Sequence, residues 1–511
     1  MKKYFIFAAI AAAGLFASCS SDESFALNDA PVTPSANDGD LVPIKLNVAQ
    51  YGTVTRGTGT VGGIVNGDGD AVTNDGTVDP TAANEWQEQK VNVYMFKTFD
   101  TRSGVPLTML KIAKFENPEG TLTNIFDDAE LTTPKGAASG TASYLTGQTA
   151  TQDVNGTAIS PAEATRYVRY YPMADRFDFW GYRIDDAANK TLAWKKAAAD
   201  PNDPDEDANL DNNGEPTDAT KLKVTFDIDG TQDVLAATTT VRTWATTNQA
   251  NFADETAYNA AVAAKYSASS ARKGLDPELS FTHKLTRLTF QGQAGDNESQ
   301  TVYVRGIKVR PLKEINGTDS TWYSREDVEL TIADINAPTE QPIVFKEVVT
   351  KDDDLTEKPN TQFVLKKRAA GDTDGNQNLV DLIDDTDVDL ATNGSVSMAG
   401  TWNTTPATWK AIGESLILPP SESYEVEILL AQVNTTEETV NGTPTKQEKI
   451  EYKTLKTVVR PTVGTSTVHP AFEAAYTYNF RIIVYGLQRI DVVTTLQPWT
   501  SGDNIDVDTD N

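Results

Sequence analysis

The sequence contains one cysteine, Cys19, and two histidines, His283 and His469, among 511 residues. A single thiol excludes a disulfide within the chain. One Cys and two distant His cannot assemble an ordinary zinc site, which needs clustered nitrogen and sulfur donors. His283 lies in Phe281-Thr282-His283-Lys284-Leu285, where alternating apolar neighbours make a packed or hydrogen-bonded histidine the natural expectation. There is no Walker loop and no G-x-S-x-G elbow. Basic residues are scarce: 44 Lys and Arg stand against 73 Asp and Glu, a net charge of −29. That balance argues against nucleic acid as a partner, because phosphates reward clustered cations. Beyond Phe16 no apolar run is long enough to cross a bilayer as a helix.

The acidic stretches do not complete a calcium loop. Asp205-Glu206-Asp207-Ala208-Asn209 has the D-x-D-x-N start, but Leu210 stands where Gly is required. Asp372-Thr373-Asp374-Gly375-Asn376 departs in the same way at Gln377. No metal, no cofactor and no enzymatic activity is therefore expected. Trp402 and Trp409, in a Thr-rich setting, are compatible with a sugar-stacking platform or with loop anchors.

What is present begins with a leader. Lys2 and Lys3 form a charged n-region, Tyr4 to Phe16 an apolar h-region, and Ala17-Ser18-Cys19 a small-residue cleavage site. The order predicts a signal peptide over 1–18 and lipidation of Cys19, with Phe16 where Leu is commoner. Ser24 to Asp40 is rich in Ser, Pro, Asn and Asp and reads as a tether. In Leu41 to Val48, the residues Val42, Ile44, Leu46 and Val48 share one face at a period of two, as a half-buried strand requires. Arg56-Gly57 then opens a Gly-, Asp-, Asn- and Thr-rich stretch running to Asp79, accessible to a trypsin-like protease. A cut after Arg56 would release anchor and strand together and leave a strand-shaped apolar groove; the alternative is an ordinary arginine in a turn beside Gly57.

The remainder is a succession of short strands. Candidates are Lys90 to Phe96, Thr165 to Tyr171, Arg176 to Arg183 and Lys221 to Ile228, with the acidic Ala197 to Thr217 as a solvated insertion between them. Glu255 to Lys273 is Ala-rich and the best helix candidate. A second run follows: Leu279 to Phe290, Thr301 to Arg310, Thr361 to Lys367, Ser415 to Leu418, Tyr424 to Val433, Glu451 to Val459 and Tyr476 to Val484. Many strands and few helices predict an all-β, sandwich-like chain, and its length favours two domains. The boundary is expected just before Leu279, giving 57–275 and 276–511 after a propeptide over 19–56. In the tail, Ile490, Val492 and Leu496 alternate with polar residues, as do Ile505 and Val507; either a last strand with a frayed acidic end or a donor strand fits.

Several short motifs, in order, resemble one family. Gln232-Asp233-Val234-Leu235-Ala236 is similar to the DxLxA-type stretch, and Phe281 to Leu288 to the F-x-H-x-L-(S/T)-x-(L/V) strand, of the FimA/Mfa-type fimbrillins of Bacteroidales, the subunit class of type V pili. Tyr476-Thr477-Tyr478, Gly486 to Ile490 and Trp499-Thr500-Ser501-Gly502 resemble their C-terminal ending, and Ser20-Ser21-Asp22-Glu23 resembles the signal that sends such lipoproteins to the outer face. The resemblance implies two transthyretin-like Greek-key β-sandwich domains with minor helical insertions. It implies export to the cell surface as an outer-membrane lipoprotein, removal of the first strand by an arginine-specific protease, and donor-strand exchange with other copies or accessory pilus subunits. A cleavable Arg56 and a β-competent tail lean towards a stalk subunit. Two other classes fit the same features: a glycan-binding lipoprotein of a polysaccharide-uptake system, or a tip or anchor subunit, either of which would not polymerise this way. A β-sandwich hydrolase would need a carboxylate pair that the sequence does not locate.

Overall fold

A computed structural model describes residues 42–48, 64–65, 71–72, 90–100, 103–116, 122–132, 169–172, 175–184, 187–197, 205–240, 254–263, 266–272, 275–316, 319–351, 359–368, 379–382, 395–440, 443–461 and 471–498. The strands form two seven-stranded sheets, two five-stranded sheets and three two-stranded ribbons. One buried cluster contains residues of all four larger sheets, so the chain is an all-β sandwich fold.

The first sheet runs Asn47–Val48, Glu278–His283, Val234–Thr240, Arg176–Ile184, Lys90–Asp100 and Val105–Ile112, with Ala129–Thr132 also on Lys90–Asp100. Its central strands are apolar on both sides. Tyr94, Phe96, Trp180, Tyr182, Val234 and Ala236 enter the cluster that also holds Leu222, Val224 and Phe226. Their alternate neighbours Val91, Val93, Met95, Phe177, Phe179, Leu235 and Ala237 enter a second cluster. Successive side chains of a strand point to opposite faces, so this sheet is buried on both faces. Such burial explains why Val91 to Phe96 is nearly continuous in apolar residues rather than cleanly alternating. The Phe96 ring meets Trp180 edge-on at 5.3 Å and Trp194, of the neighbouring sheet, at 5.9 Å, which joins the two layers.

The second sheet is Asp205–Asp207, Ala188–Ala197, Lys221–Asp227, Val328–Asp334 and Ile343–Val344. Asp205–Asp207, expected within a solvated insertion, is its edge strand, paired with Lys195 to Ala197. Three lysines compensate its charge: Lys195 binds Asp207 at 2.7 Å, Lys221 binds Asp205 at 2.9 Å, and Lys223 bridges Asp205 and Glu329.

The expected single strand from Leu279 to Phe290 is two. Glu278–His283 belongs to the first sheet; after Lys284 and Leu285, Thr286–Ala294 belongs to the third, beside Tyr476–Tyr485 in parallel, with Arg489–Pro498, Leu416–Leu418 and Lys410–Ala411. The chain then enters the fourth sheet through Val302–Asn316 and Asp319–Tyr323, returns to the second through Val328–Asp334, and rejoins the fourth at Glu347–Lys351. Residues on both sides of position 276 therefore share the second sheet, through the antiparallel pairing of Lys221–Asp227 with Val328–Asp334.

Within Glu255 to Lys273 there are two helices, Glu255–Ala263 and Ala268–Ala271. Between them the Tyr266 carbonyl accepts from Phe177 N–H at 2.9 Å, a bond to the first sheet that a continuous helix could not make. Ser267 caps the second helix, its hydroxyl accepting from Ser270 N–H at 3.2 Å.

Candidate functional site

The segment 42–48 lies along one margin of the first sheet. Val42, Ile44, Leu46 and Val48 are 6%, 7%, 2% and 3% exposed, and all four enter the second buried cluster, with Tyr171, Phe177, Phe179, Tyr266, Leu279 and Phe281. Pro43 and Lys45 between them are half-buried, so the period of two holds at the apolar positions. Asn47 departs from it: this polar residue is 2% exposed and its Oδ1 has no hydrogen-bond partner among the described residues.

Among the described residues the main-chain ties of this segment are few. Tyr171 N–H donates to Val42 O at 2.9 Å, Ile44 N–H to Arg169 O at 2.7 Å, and Asn47 N–H to Pro277 O at 2.9 Å. Among the described residues, regular pairing is limited to Asn47 and Val48, which run parallel to Glu278 and Leu279. Pro43, lacking an N–H, cannot donate to a ladder, and an antiparallel bridge to Tyr170 is what remains there. Four apolar side chains entering a buried layer thus hold the segment more than its backbone does.

The seat is apolar and aromatic. Phe179 meets Tyr171 edge-on at 6.3 Å and Tyr266 at 5.9 Å. Burial, with the Asp276 carboxylate adding to it, pushes the Tyr171 phenol well above its ordinary value, and its hydroxyl has no partner among the described residues. Burial likewise pushes the Tyr266 phenol up. Such a surface can receive alternate apolar side chains of an extended chain. Among the described residues no group of three or more His, Cys, Asp or Glu is placed to hold a metal.

The two motifs that carry the resemblance are neighbours in this sheet. Val234–Thr240 and Glu278–His283 pair antiparallel, with Leu235 opposite His283 and Ala237 opposite Phe281. At their end His283 Nδ1 lies 2.9 Å from Asp233 Oδ1, with side chains 1% and 0% exposed. Asp233 Oδ2 has no hydrogen-bond partner among the described residues. Lys284 N–H donates to Val234 O at 2.9 Å immediately before the chain leaves for the third sheet.

Other expected sites are distributed as follows. Ile490, Val492 and Leu496 lie on Arg489–Pro498, opposite Val484, Ile482 and Tyr478, where Ile490 and Val492 pack half-buried against the main core. They complete the third sheet of this chain. Cys19, Arg56, Gly57, Ile505 and Val507 lie outside the described residues. Leu279 and Phe281, which line the seat, stood in the strand candidate Leu279 to Phe290, and Phe281 also in the quoted motif, without being assigned to the seat. Tyr266 and Tyr171 carry no local signal for that role: Tyr266 reaches the seat from between two helices, and Tyr171 from the residue after an isolated bridge between Tyr170 and Pro43.

No family model matches the chain, and no curated protein does. Among solved structures, the chain is similar to a proposed cell adhesion protein of Bacteroides uniformis, at 11% identity, over 91% of this chain and 100% of that one, with a TM-score of 0.30. It is similar to a second proposed cell adhesion protein, from Bacteroides fragilis, at 11% identity over 90% and 99% of the two chains, with a TM-score of 0.27. It is also similar to the fimbrial anchor protein Mfa2 of Porphyromonas gingivalis, at 10% identity over 82% and 91%, with a TM-score of 0.24.

Proposed function

We propose that this chain is a structural subunit of a cell-surface fimbrium, in its stalk, that supports adhesion. It is exported as an outer-membrane lipoprotein on Cys19, cleaved between Arg56 and Gly57 by an arginine-specific protease, and polymerised by donor-strand exchange with other copies of itself and accessory pilus subunits. After the propeptide 19–56, the two sandwiches are transthyretin-like and Greek-key and are drawn mainly from 57–275 and 276–511, with Glu278–His283 and Val328–Asp334 of the second half joining sheets of the first. The observation that carries this reading is the seat of the 42–48 strand. Four alternate apolar side chains upstream of Arg56 are buried, while the backbone that bears them has few ties to the other described residues.

Removing that strand exposes a row of apolar pockets and the free edge of Glu278–His283. Strand addition suits such a surface, because main-chain hydrogen bonds supply affinity and alternate side chains fill the pockets. Burial of four side chains of this kind contributes roughly 6–12 kcal/mol gross, before the ordering of the incoming chain is subtracted. The incoming segment is the C-terminal one, with Ile505 and Val507 as its apolar positions, continuing from the strand that bears Ile490, Val492 and Leu496. Until export the seat stays filled, which guards an edge that would otherwise aggregate.

The test is the N-terminal residue of protein sheared from intact cells, read by mass spectrometry. A start at Gly57 is the expected result. A start at acylated Cys19 in all of the sheared protein would overturn polymerisation through this seat and favour an anchored subunit or a glycan-binding lipoprotein.

A further inference from the structure

The loop from Ala399 to Trp409 lies outside the proposed strand exchange, yet it is tied by several hydrogen bonds. Thr401, 0% exposed, is its anchor: its hydroxyl accepts from Ala294 N–H at 2.8 Å and donates to Met398 O at 2.7 Å, and its carbonyl accepts from Gln293 Nε2 at 3.0 Å. Thr404 Oγ1 accepts from Thr408 N–H at 2.7 Å, and Lys410 Nζ donates to Ser397 O and Ala399 O, both at 2.8 Å. Gly400 and Asn403, at φ 75° and 52°, are left-handed and turn the chain sharply on either side of Thr401 and Trp402.

This scaffold holds Trp402 in water. The residue is 39% exposed, and among the described residues it is the only exposed tryptophan. The side chains of Asn403 and Thr405 are exposed and make no hydrogen bond to the described residues. Trp409 is half-buried, and the Arg481 guanidinium covers its ring at 5.3 Å from the centroid. A heavily hydrogen-bonded loop thus carries one exposed indole, with the exposed amide of Asn403 and hydroxyl of Thr405 close to it in the chain.

We infer that this loop is a carbohydrate-binding site, in which Trp402 stacks on the C–H face of a neutral pyranose ring while Asn403 and Thr405 hydrogen-bond its hydroxyls. An aromatic face carries negative charge density and attracts weakly polarised C–H groups. Convergent polar groups beside an apolar surface fix orientation, as small-ligand sites require. The setting favours a sugar over a protein partner. A stable protein interface buries about 800 Å² per side around an apolar centre, whereas Trp402 is surrounded in sequence by Asn403, Thr404, Thr405 and Thr408 and has no other exposed large apolar residue in its loop. The net charge of −29 disfavours anionic glycans and leaves neutral ones.

The experiment is binding of the full chain to an array of neutral oligosaccharides built from hexoses, N-acetylhexosamines and deoxyhexoses. A subset should bind, Trp402→Ala should weaken that binding about tenfold or more, and Trp402→Phe should be intermediate. Both variants should keep the wild-type melting temperature, since Thr401 rather than the indole anchors the loop. Absence of binding to any member of the array, or equal binding by Trp402→Ala, would overturn the assignment. So would a Trp402-dependent contact with protein alone. The inference does not rest on strand exchange: N-terminal processing of Trp402→Ala should match wild type, so either idea can fail while the other stands.

Discussion

Truncating Leu46 to Ala should loosen the 42–48 strand while leaving the rest of the molecule as stable as before. Leu46 is 2% exposed and enters the second buried cluster, whereas Lys45 beside it is half-buried. Deleting its three outer carbons removes roughly 2.4 kcal/mol of transfer free energy, and the cavity left behind brings the loss to about 2–5 kcal/mol. Because the segment has few main-chain ties, this loss should appear as local opening rather than global unfolding. The amides of Ile44 and Asn47, which donate to Arg169 O and Pro277 O, report that opening by hydrogen exchange. Their exchange should accelerate about thirtyfold or more in Leu46→Ala, from the lower end of that cost, and less than about threefold in Lys45→Ala. Amides of Thr286–Ala294, in the third sheet, should not change. Equal acceleration in Lys45→Ala would refute side-chain-driven seating. Equal acceleration in the third sheet would refute the idea that the strand can leave a standing fold.

Three further outcomes follow from other parts of the structure. Gly181→Ala places a Cβ 2.8 Å from Phe281 Cζ, inside the seat; the buried ring must move, and urea unfolding should show a loss of about 1–3 kcal/mol. Asp233→Ala removes the partner of a fully buried His283 nitrogen and should cost about 1–3 kcal/mol in the same assay, while Asp233→Asn should cost less. For pH, burial works to raise the Asp205 carboxyl, but hydrogen bonds from Lys223 and Lys221 outweigh it and hold the group below its ordinary value. Glu427 is similar: burial opposes, and Lys456, Arg310 and Lys308 prevail. A carboxyl depressed in the folded state stabilises above its unfolded value of about 4 and loses that contribution as pH falls through the folded one. Melting temperature should therefore drop on acidification below about pH 4, and drop less steeply in Asp205→Asn.

Part of this was legible from residues alone. Strands such as Lys221–Asp227 and Tyr476–Tyr485 announce themselves because each has one apolar face and one polar face, and a period of two survives in the sequence. Val42, Ile44, Leu46 and Val48 were legible for the same reason. The long ribbon was read short: Tyr424 to Val433 is in fact Ser423–Val440, paired with Thr443–Val459 through Val440 and Thr443. Beyond Gln432, where the pairing with Val302–Asn316 ends, it has no third strand among the described residues. Its outer residues, Thr435 to Glu437 and Lys446 to Lys449, are exposed and carry little apolar signal. The Asn441-Gly442 pair between them was the hairpin signal that could have extended it.

The sequence by itself determined the all-β character, the acidic surface and the apolar face of the first strand, because these depend on composition and on the alternation of neighbouring side chains. Only the tertiary structure decided that His283 ends one sheet and Thr286 begins another, that Val328–Asp334 returns to pair with Lys221–Asp227, and that Tyr171 and Tyr266 join Phe281 in the seat of 42–48. Those are contacts between residues far apart in the chain. Strand pairing is made by backbone groups common to all residues, so local sequence carries the tendency to be a strand but not the identity of the partner.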